Sequence, residues 1–102
     1  MKSILQDEKD KRCYLCMMLH GDERKKYTHR HHIFPGAANR KKSEELGLTV
    51  RLCVRHHVAG PEAVHENYTY MRMLQEIAQE KFEETHSREE WMREMGRNYI
   101  KV

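Results

Sequence analysis

The chain has 102 residues, a formal charge of +3, 38% hydrophobic residues and 34% charged residues. This length predicts one small domain with a thin core, and the composition excludes a disordered chain. No run of 18 apolar residues is present, and the first residues lack the apolar centre of a signal peptide. We therefore expect a soluble cytoplasmic protein with no membrane contact.

The first third of the chain predicts little regular structure. Residues 1–12 are polar and charged apart from Ile4 and Leu5, which predicts a loosely held arm or a short helix. The following Cys13-Tyr14-Leu15-Cys16 predicts a knuckle-like turn.

Two short strands are predicted next. Residues 27–34 predict an extended strand that enters a turn at residues 35–36. Residues 48–53 alternate apolar and polar side chains, which is the period of a half-buried strand. The strands could pair as a hairpin across a long loop, in which residues 39–46 predict about one helical turn and Gly47 a left-handed cap.

Helices are predicted in the second half. One begins near residues 53–56, and Gly60 and Pro61 interrupt it. Residues 67–84 carry apolar side chains at helical spacing, which predicts an amphipathic helix. Its apolar stripe, expected in the core, consists of Met71, Leu74, Ile77, Ala78 and Phe82.

The C-terminal segment predicts a final short helix. Ser87 and Glu90 have the spacing of a capping box, so this helix should span residues 88–95 and stop at Gly96. Trp91 should pack it onto the first half of the chain.

The cysteines point to a structural zinc. Three cysteines are an odd number, which fits a disulfide framework poorly. Cys13 and Cys16 form one close pair of ligands, and Cys53 with His56 forms a second, so that four donors could surround one tetrahedral ion. Spacing favours His56 over His57 as the fourth ligand without deciding between them. The alternative is a pair of free thiols and a core cysteine.

The order of these motifs carries a resemblance. Cys-x-x-Cys, then His-His-Ile-x-Pro, then Leu-Cys-x-x-His-His resembles the HNH endonuclease family in its zinc-stapled, small phage-encoded form, over residues 13–65. The resemblance implies an α+β fold, with a zinc knuckle and ββα-metal core at residues 13–66 and C-terminal helices at residues 67–102. The whole chain would then be a single domain of this type.

The resemblance also implies roles for the remaining histidines. His32 matches the general base, while His31 and His57 match ligands of a catalytic divalent ion. His65 is the candidate for a further ligand, although His29 shares a strand face with His31 and could replace either ligand. The ion would be Mg²⁺, Mn²⁺, Ni²⁺ or Zn²⁺, and it would stabilise charge on the phosphate while the imidazole activates water.

One family feature is missing. The central asparagine of the motif, which holds the loop and orients the base, falls at Leu48 in this chain. Asn39, from within the loop, is the candidate to replace it. This departure favours an alternative reading, in which the fold is kept as a catalytically inactive zinc-containing nucleic-acid-binding or adaptor protein.

The distribution of charge suggests a partner. Basic residues concentrate between Arg24 and Arg55, whereas acidic residues concentrate in the C-terminal third, which suits a polyanion bound by the first half. The resemblance implies a metal-dependent DNA endonuclease, and it allows a role in phage DNA processing or packaging. A further alternative is a regulatory protein whose acidic helices bind a larger phage terminase or nuclease. The expected phosphate contacts, which could instead form a solvated basic face, are Arg30, Arg40, Lys41, Lys42 and Arg55.

Overall fold

Two antiparallel strands lie at the centre of the fold, in a computed structural model that describes residues 1–100. Strand β1, Thr28–His32, pairs with β2, Thr49–Cys53, and the register places His31 opposite Val50 and His32 opposite Thr49. The predicted hairpin is confirmed, and the chain has an α+β fold. The long connection between the strands is itself helical.

Within residues 1–100, five helices surround this hairpin. Helix α2 lies between the two strands, α3 follows β2 directly, and α4 and α5 form the C-terminal part. Among residues 1–100, no helix has both the length and the apolar content needed to cross a membrane. The bounds of the helices are α1 Tyr14–His20, α2 Ala37–Leu46, α3 Val54–His57, α4 Tyr68–Phe82 and α5 Arg88–Met95.

Helix α2 is longer than the single turn that was predicted. It spans ten residues and ends at Gly47, whose φ of 73° gives the left-handed cap expected from the sequence. Only Ser43 is buried on it, so no apolar stripe could reveal it. Its alanine, lysine, glutamate and leucine residues are nevertheless good helix formers.

The first twelve residues are attached to the hairpin, and the prediction of a loose arm is wrong. The Ile4 N–H donates to the Gly47 carbonyl oxygen at 2.9 Å. The Gln6 amide accepts from the Arg51 N–H at 2.8 Å and donates to the Arg12 carbonyl oxygen at 2.9 Å. Backbone partners of this kind have no signature in an apolar pattern.

The knuckle-like turn predicted at Cys13 is instead the start of helix α1. The Cys13 sulfur caps this helix by accepting from the Cys16 N–H at 3.4 Å. Because one helical turn separates the two cysteines, both sulfurs can face the same point.

The C-terminal helices close the core as expected. Helix α5 begins with the predicted capping box and ends at Gly96. Trp91 is fully buried, with its ring 5.5 Å from Phe34 and 5.3 Å from Phe82 between centroids. The last helix therefore packs against the residue that follows β1 by two positions. On α4 the buried face is narrower than predicted, because Met71 and Ile77 remain partly exposed.

Candidate functional site

Three cysteines and one histidine meet in the interior beside the hairpin. Cys13 and Cys16 come from the start of α1, Cys53 ends β2, and His56 lies on α3. All four side chains are buried, the three thiols are free, and one ligand atom from each lies within 4.8 Å of the others. This group, the Cys₃His cluster, could hold one metal ion.

The distances within the Cys₃His cluster are those of a tetrahedral site. His56 Nδ1 lies 3.5 Å from the Cys13 sulfur and 3.4 Å from the sulfurs of Cys16 and Cys53. The sulfurs of Cys16 and Cys53 are 3.8 Å apart. In a tetrahedron with bonds of about 2.3 Å to sulfur and about 2.0 Å to nitrogen, the sulfur–nitrogen distance is roughly 3.5 Å and the sulfur–sulfur distance is roughly 3.8 Å.

Burial and a neighbouring ammonium group act in opposite directions on the thiols of the Cys₃His cluster. Burial raises the pKa of the Cys13 thiol and so favours its protonated form, whereas a positive charge nearby favours the thiolate that binds a metal ion. Lys26 supplies one next to Cys16, with Nζ 3.0 Å from the sulfur and 2.7 Å from an oxygen of Asp22. Nothing in the sequence distinguished Lys26 from the other basic residues of its loop.

The ring of His56 is also approached from its other side. Its Nε2 lies 3.4 Å from an oxygen of Glu62, and the same oxygen lies 2.6 Å from a guanidinium nitrogen of Arg55. The ring therefore turns Nδ1 to the sulfurs and Nε2 towards a carboxylate. Carboxylates in this position commonly orient metal-binding histidines.

Three further histidines form a second group, the His₃ cluster. His31 belongs to β1, His57 ends α3, and His65 follows in the next loop; one nitrogen from each lies within 4.8 Å of the others. The chain returns to bring His65 there, because the Val64 N–H donates to the His56 carbonyl oxygen at 2.8 Å. The chain therefore bends back after α3, in the segment that contains Gly60 and Pro61.

His31 is buried in its uncharged form. Only 2% of it is exposed, and its Nε2 is buried without a hydrogen-bond partner. Burial, followed by the nearby His57 and His65, lowers the pKa of His31 to about 3, and burial also lowers the pKa of His57. An uncharged imidazole with an unpartnered buried nitrogen is the form that coordinates a metal ion.

His29 lies on the same face of β1 but outside the His₃ cluster. Its Nδ1 is 3.0 Å from Nδ1 of His57, so it contacts one member of the cluster from behind. Of the two residues that the sequence left open as a ligand, His65 is the one that the structure brings to the other nitrogens.

His32 points to the opposite side of the strand, as neighbouring residues on a strand must. Its Nε2 lies 2.9 Å from an oxygen of Glu44 on α2. The other oxygen of Glu44 accepts from Arg30 at 3.0 Å. The hydrogen bond with His32, together with the charge of Arg30, lowers the pKa of the Glu44 carboxyl.

The residue in contact with His32 was not anticipated. Asn39 is exposed and makes no side-chain hydrogen bond within the part of the chain that the structure describes, and Leu48 is fully buried in the core. Glu44 occupies the position beside the imidazole instead. Its sequence context, an acidic pair after a basic run, looks like an ordinary helix surface.

Side chains at the C-terminal end of β1 line one cleft of about 290 Å³. The whole His₃ cluster, His32 and two arginines border this cleft. Its lining residues are Arg30, His31, His32, Pro35, Gly36, Arg40, His57 and His65.

The five basic residues expected to contact phosphate differ in their surroundings. Lys42 pairs with Glu94 at 2.6 Å, and Arg55 and Arg30 pair with the glutamates described above. Arg40 and Lys41 are exposed and make no ion pair with any residue between 1 and 100. The uncompensated cations therefore stand on α2, beside the cleft.

Compared with protein-family models, with curated proteins and with solved structures, the chain gives no match in any of the three comparisons.

Proposed function

We propose that this protein is a metal-dependent DNA endonuclease of the HNH type, built on a ββα-metal module. The observation that carries the proposal is the His₃ cluster, whose imidazole nitrogens converge in a cleft that also contains His32. These histidines come from β1, from α3 and from the loop after α3, and the order β1, β2, α3 along the chain agrees with the module that the sequence resembles.

The Cys₃His cluster is the proposed structural zinc site. Three sulfurs and one imidazole nitrogen are a donor set typical of structural zinc, and the measured edges support a closed tetrahedron. Such an ion would join α1 to the end of β2 and the start of α3. It would therefore brace the helix that carries His57.

His31, His57 and His65 are the proposed ligands of the catalytic ion. When bound, a divalent ion there would stabilise negative charge on the phosphate and on the leaving oxygen. Three imidazoles suit Zn²⁺ and Ni²⁺ better than Mg²⁺ and Mn²⁺, which prefer oxygen ligands. The donor set therefore predicts stronger activity with Zn²⁺ or Ni²⁺ than with Mg²⁺ or Mn²⁺.

His32 is the proposed general base. Its Nε2 contacts Glu44, so Nδ1 remains to take the proton of the attacking water. Exposure of 19% of the side chain lets water reach the ring while the rest of it is held. Arg40 and Lys41, which have no carboxylate partner, are the proposed contacts to the DNA backbone.

Plasmid cleavage tests the proposal directly. Protein stripped of metal is refilled with Zn²⁺ at the Cys₃His cluster and then given Mg²⁺, Mn²⁺, Ni²⁺ or Zn²⁺. We expect nicking or linearisation that His32→Ala abolishes, while the unfolding temperature and one tightly bound zinc are kept. His86→Ala, at an exposed histidine outside the cleft, is the matched control and should cleave like the parent.

Two outcomes would contradict the proposal. DNA binding without cleavage by any of the four ions would favour the inactive adaptor. Cleavage that survives His32→Ala would show that another group accepts the proton.

A further inference from the structure

We infer that Glu44 is a positioning residue for His32. It holds the imidazole in the tautomer that has its proton on Nε2 and an unprotonated Nδ1. The inference rests on the proposed function for its kinetic consequence. Its structural part, the tautomer, stands on the contact between the two side chains alone.

The contact between His32 and Glu44 is a hydrogen bond. The Nε2 of His32 lies 2.9 Å from Oε2 of Glu44, which is a normal hydrogen-bond length. An ionised carboxylate can only accept a hydrogen bond, so the proton must lie on Nε2. In a neutral imidazole the other nitrogen then has a free lone pair.

Glu44 is itself held in place. Its Oε1 accepts from Nη1 of Arg30 at 3.0 Å, so both carboxylate oxygens are engaged. A carboxylate fixed at both oxygens cannot rotate away from the ring without losing a second contact. The pair thus constrains the His32 ring through its Nε2.

Helix α2 is anchored beside β1. The hydroxyl of Ser43, the residue before Glu44, accepts from the Phe34 N–H at 3.1 Å and is fully buried. Lys42 binds Glu94 of α5 at 2.6 Å. Both contacts keep this turn of α2 against the end of the strand that carries His32.

Residue Glu44 therefore fills the place for which the sequence suggested Asn39. An amide can orient an imidazole through either its oxygen or its nitrogen, whereas a carboxylate selects one tautomer. The choice matters because a base that presents N–H to the water cannot accept its proton.

The experiment compares Glu44→Ala and Glu44→Gln with Glu45→Ala. Glu45 is the matched control, since it is the adjacent glutamate of the same helix and lies 3.8 Å from Lys42 without contacting a histidine. Long-range ¹H–¹⁵N spectra of the zinc-loaded protein report which His32 nitrogen carries the proton, with His32→Ala identifying the signals. Single-turnover cleavage and the unfolding temperature are measured on the same samples.

We expect the parent and Glu45→Ala to show His32 protonated at Nε2, and Glu44→Ala to show a mixture of both tautomers. The single-turnover rate constant of Glu44→Ala at saturating protein should fall by roughly 10- to 100-fold, with the half-saturating protein concentration unchanged, as for other residues that orient a functional histidine. Glu44→Gln should recover part of both effects, because its amide oxygen can still accept from Nε2.

An unchanged tautomer in Glu44→Ala would overturn the inference, even if its cleavage were slower. So would a loss of activity that follows the unfolding temperature in all three variants. If the parent cleaves no DNA, the proposed nuclease fails, while the spectra still decide whether Glu44 selects the tautomer.

Discussion

Removing the ion from the Cys₃His cluster should cost the protein much of its stability. The cluster joins two parts of the chain whose nearest ligands, Cys16 and Cys53, are 37 positions apart. Treated as a cross-link that closes a loop of this length, the ion removes chain entropy from the unfolded state worth about 4 kcal/mol. A domain of this size has a total stability of only about 5–15 kcal/mol.

The expected change in unfolding temperature follows from this figure. A loss of 1 kcal/mol lowers the midpoint of a domain of 60–100 residues by roughly 4–8 °C, so stripping the ion should lower it by about 15–30 °C. The assay is thermal unfolding followed by circular dichroism, before and after chelation, with metal content measured on the same samples. Zinc returned to the stripped protein should restore the midpoint.

Two variants separate this cluster from the other one. Cys53→Ser removes a sulfur ligand and should reproduce the stripped protein, with less than one zinc per chain. His65→Ala, which removes an exposed member of the His₃ cluster, should keep both the zinc and the midpoint. This prediction would be contradicted if the stripped protein had an unchanged midpoint. It would also be contradicted if Cys53→Ser retained one zinc and melted normally.

Two further predictions concern regions away from the clusters. Gln79 is fully buried and accepts from the Tyr99 N–H at 2.7 Å, whereas the buried Gln75 makes no side-chain hydrogen bond within residues 1–100. Gln79→Ala should therefore lower the free energy of unfolding by about 1–3 kcal/mol more than Gln75→Ala in urea titrations, and equal losses would contradict this. Arg12 lowers the pKa of Asp10 from 3.8 to about 2, so the ionised carboxylate stabilises the fold above pH 3.8, and this contribution is lost as the pH falls towards 2. Stability measured against pH should fall less steeply over this range in Asp10→Asn, and parallel curves would show that the ion pair contributes nothing.

Local patterns predicted most of the elements. Alternation at residues 48–53 identified β2, and the spacing of Ser87 and Glu90 identified the start of α5, because both signals come from neighbours in the chain. The period of a strand also separated His31 from His32, which do face different sides. The Cys₃His cluster could likewise be predicted from residue types and spacing, whereas the grouping of His31, His57 and His65 was predicted from the family resemblance.

The parts that could not be predicted depend on contacts between distant segments. Helix α2 has no apolar stripe, so neither its length nor the meeting of Glu44 with His32 has a local signal. The same holds for Lys26 beside Cys16 and for Gln79, which bonds Asn98 and Tyr99 near the end of the chain. In each case a polar residue on a helix or loop contacts a partner that is distant in sequence.

The shortest helix of the protein has the widest consequence. Within the four residues of α3, His56 belongs to the Cys₃His cluster and His57, the next residue, to the His₃ cluster. The two rings are attached to one short turn of backbone, so a shift of His56 would also move His57. If both clusters bind metal as proposed, an ion in the Cys₃His cluster would help to place one ligand of the His₃ cluster. Loss of zinc would then disturb the cleft while leaving all of its histidines in the chain.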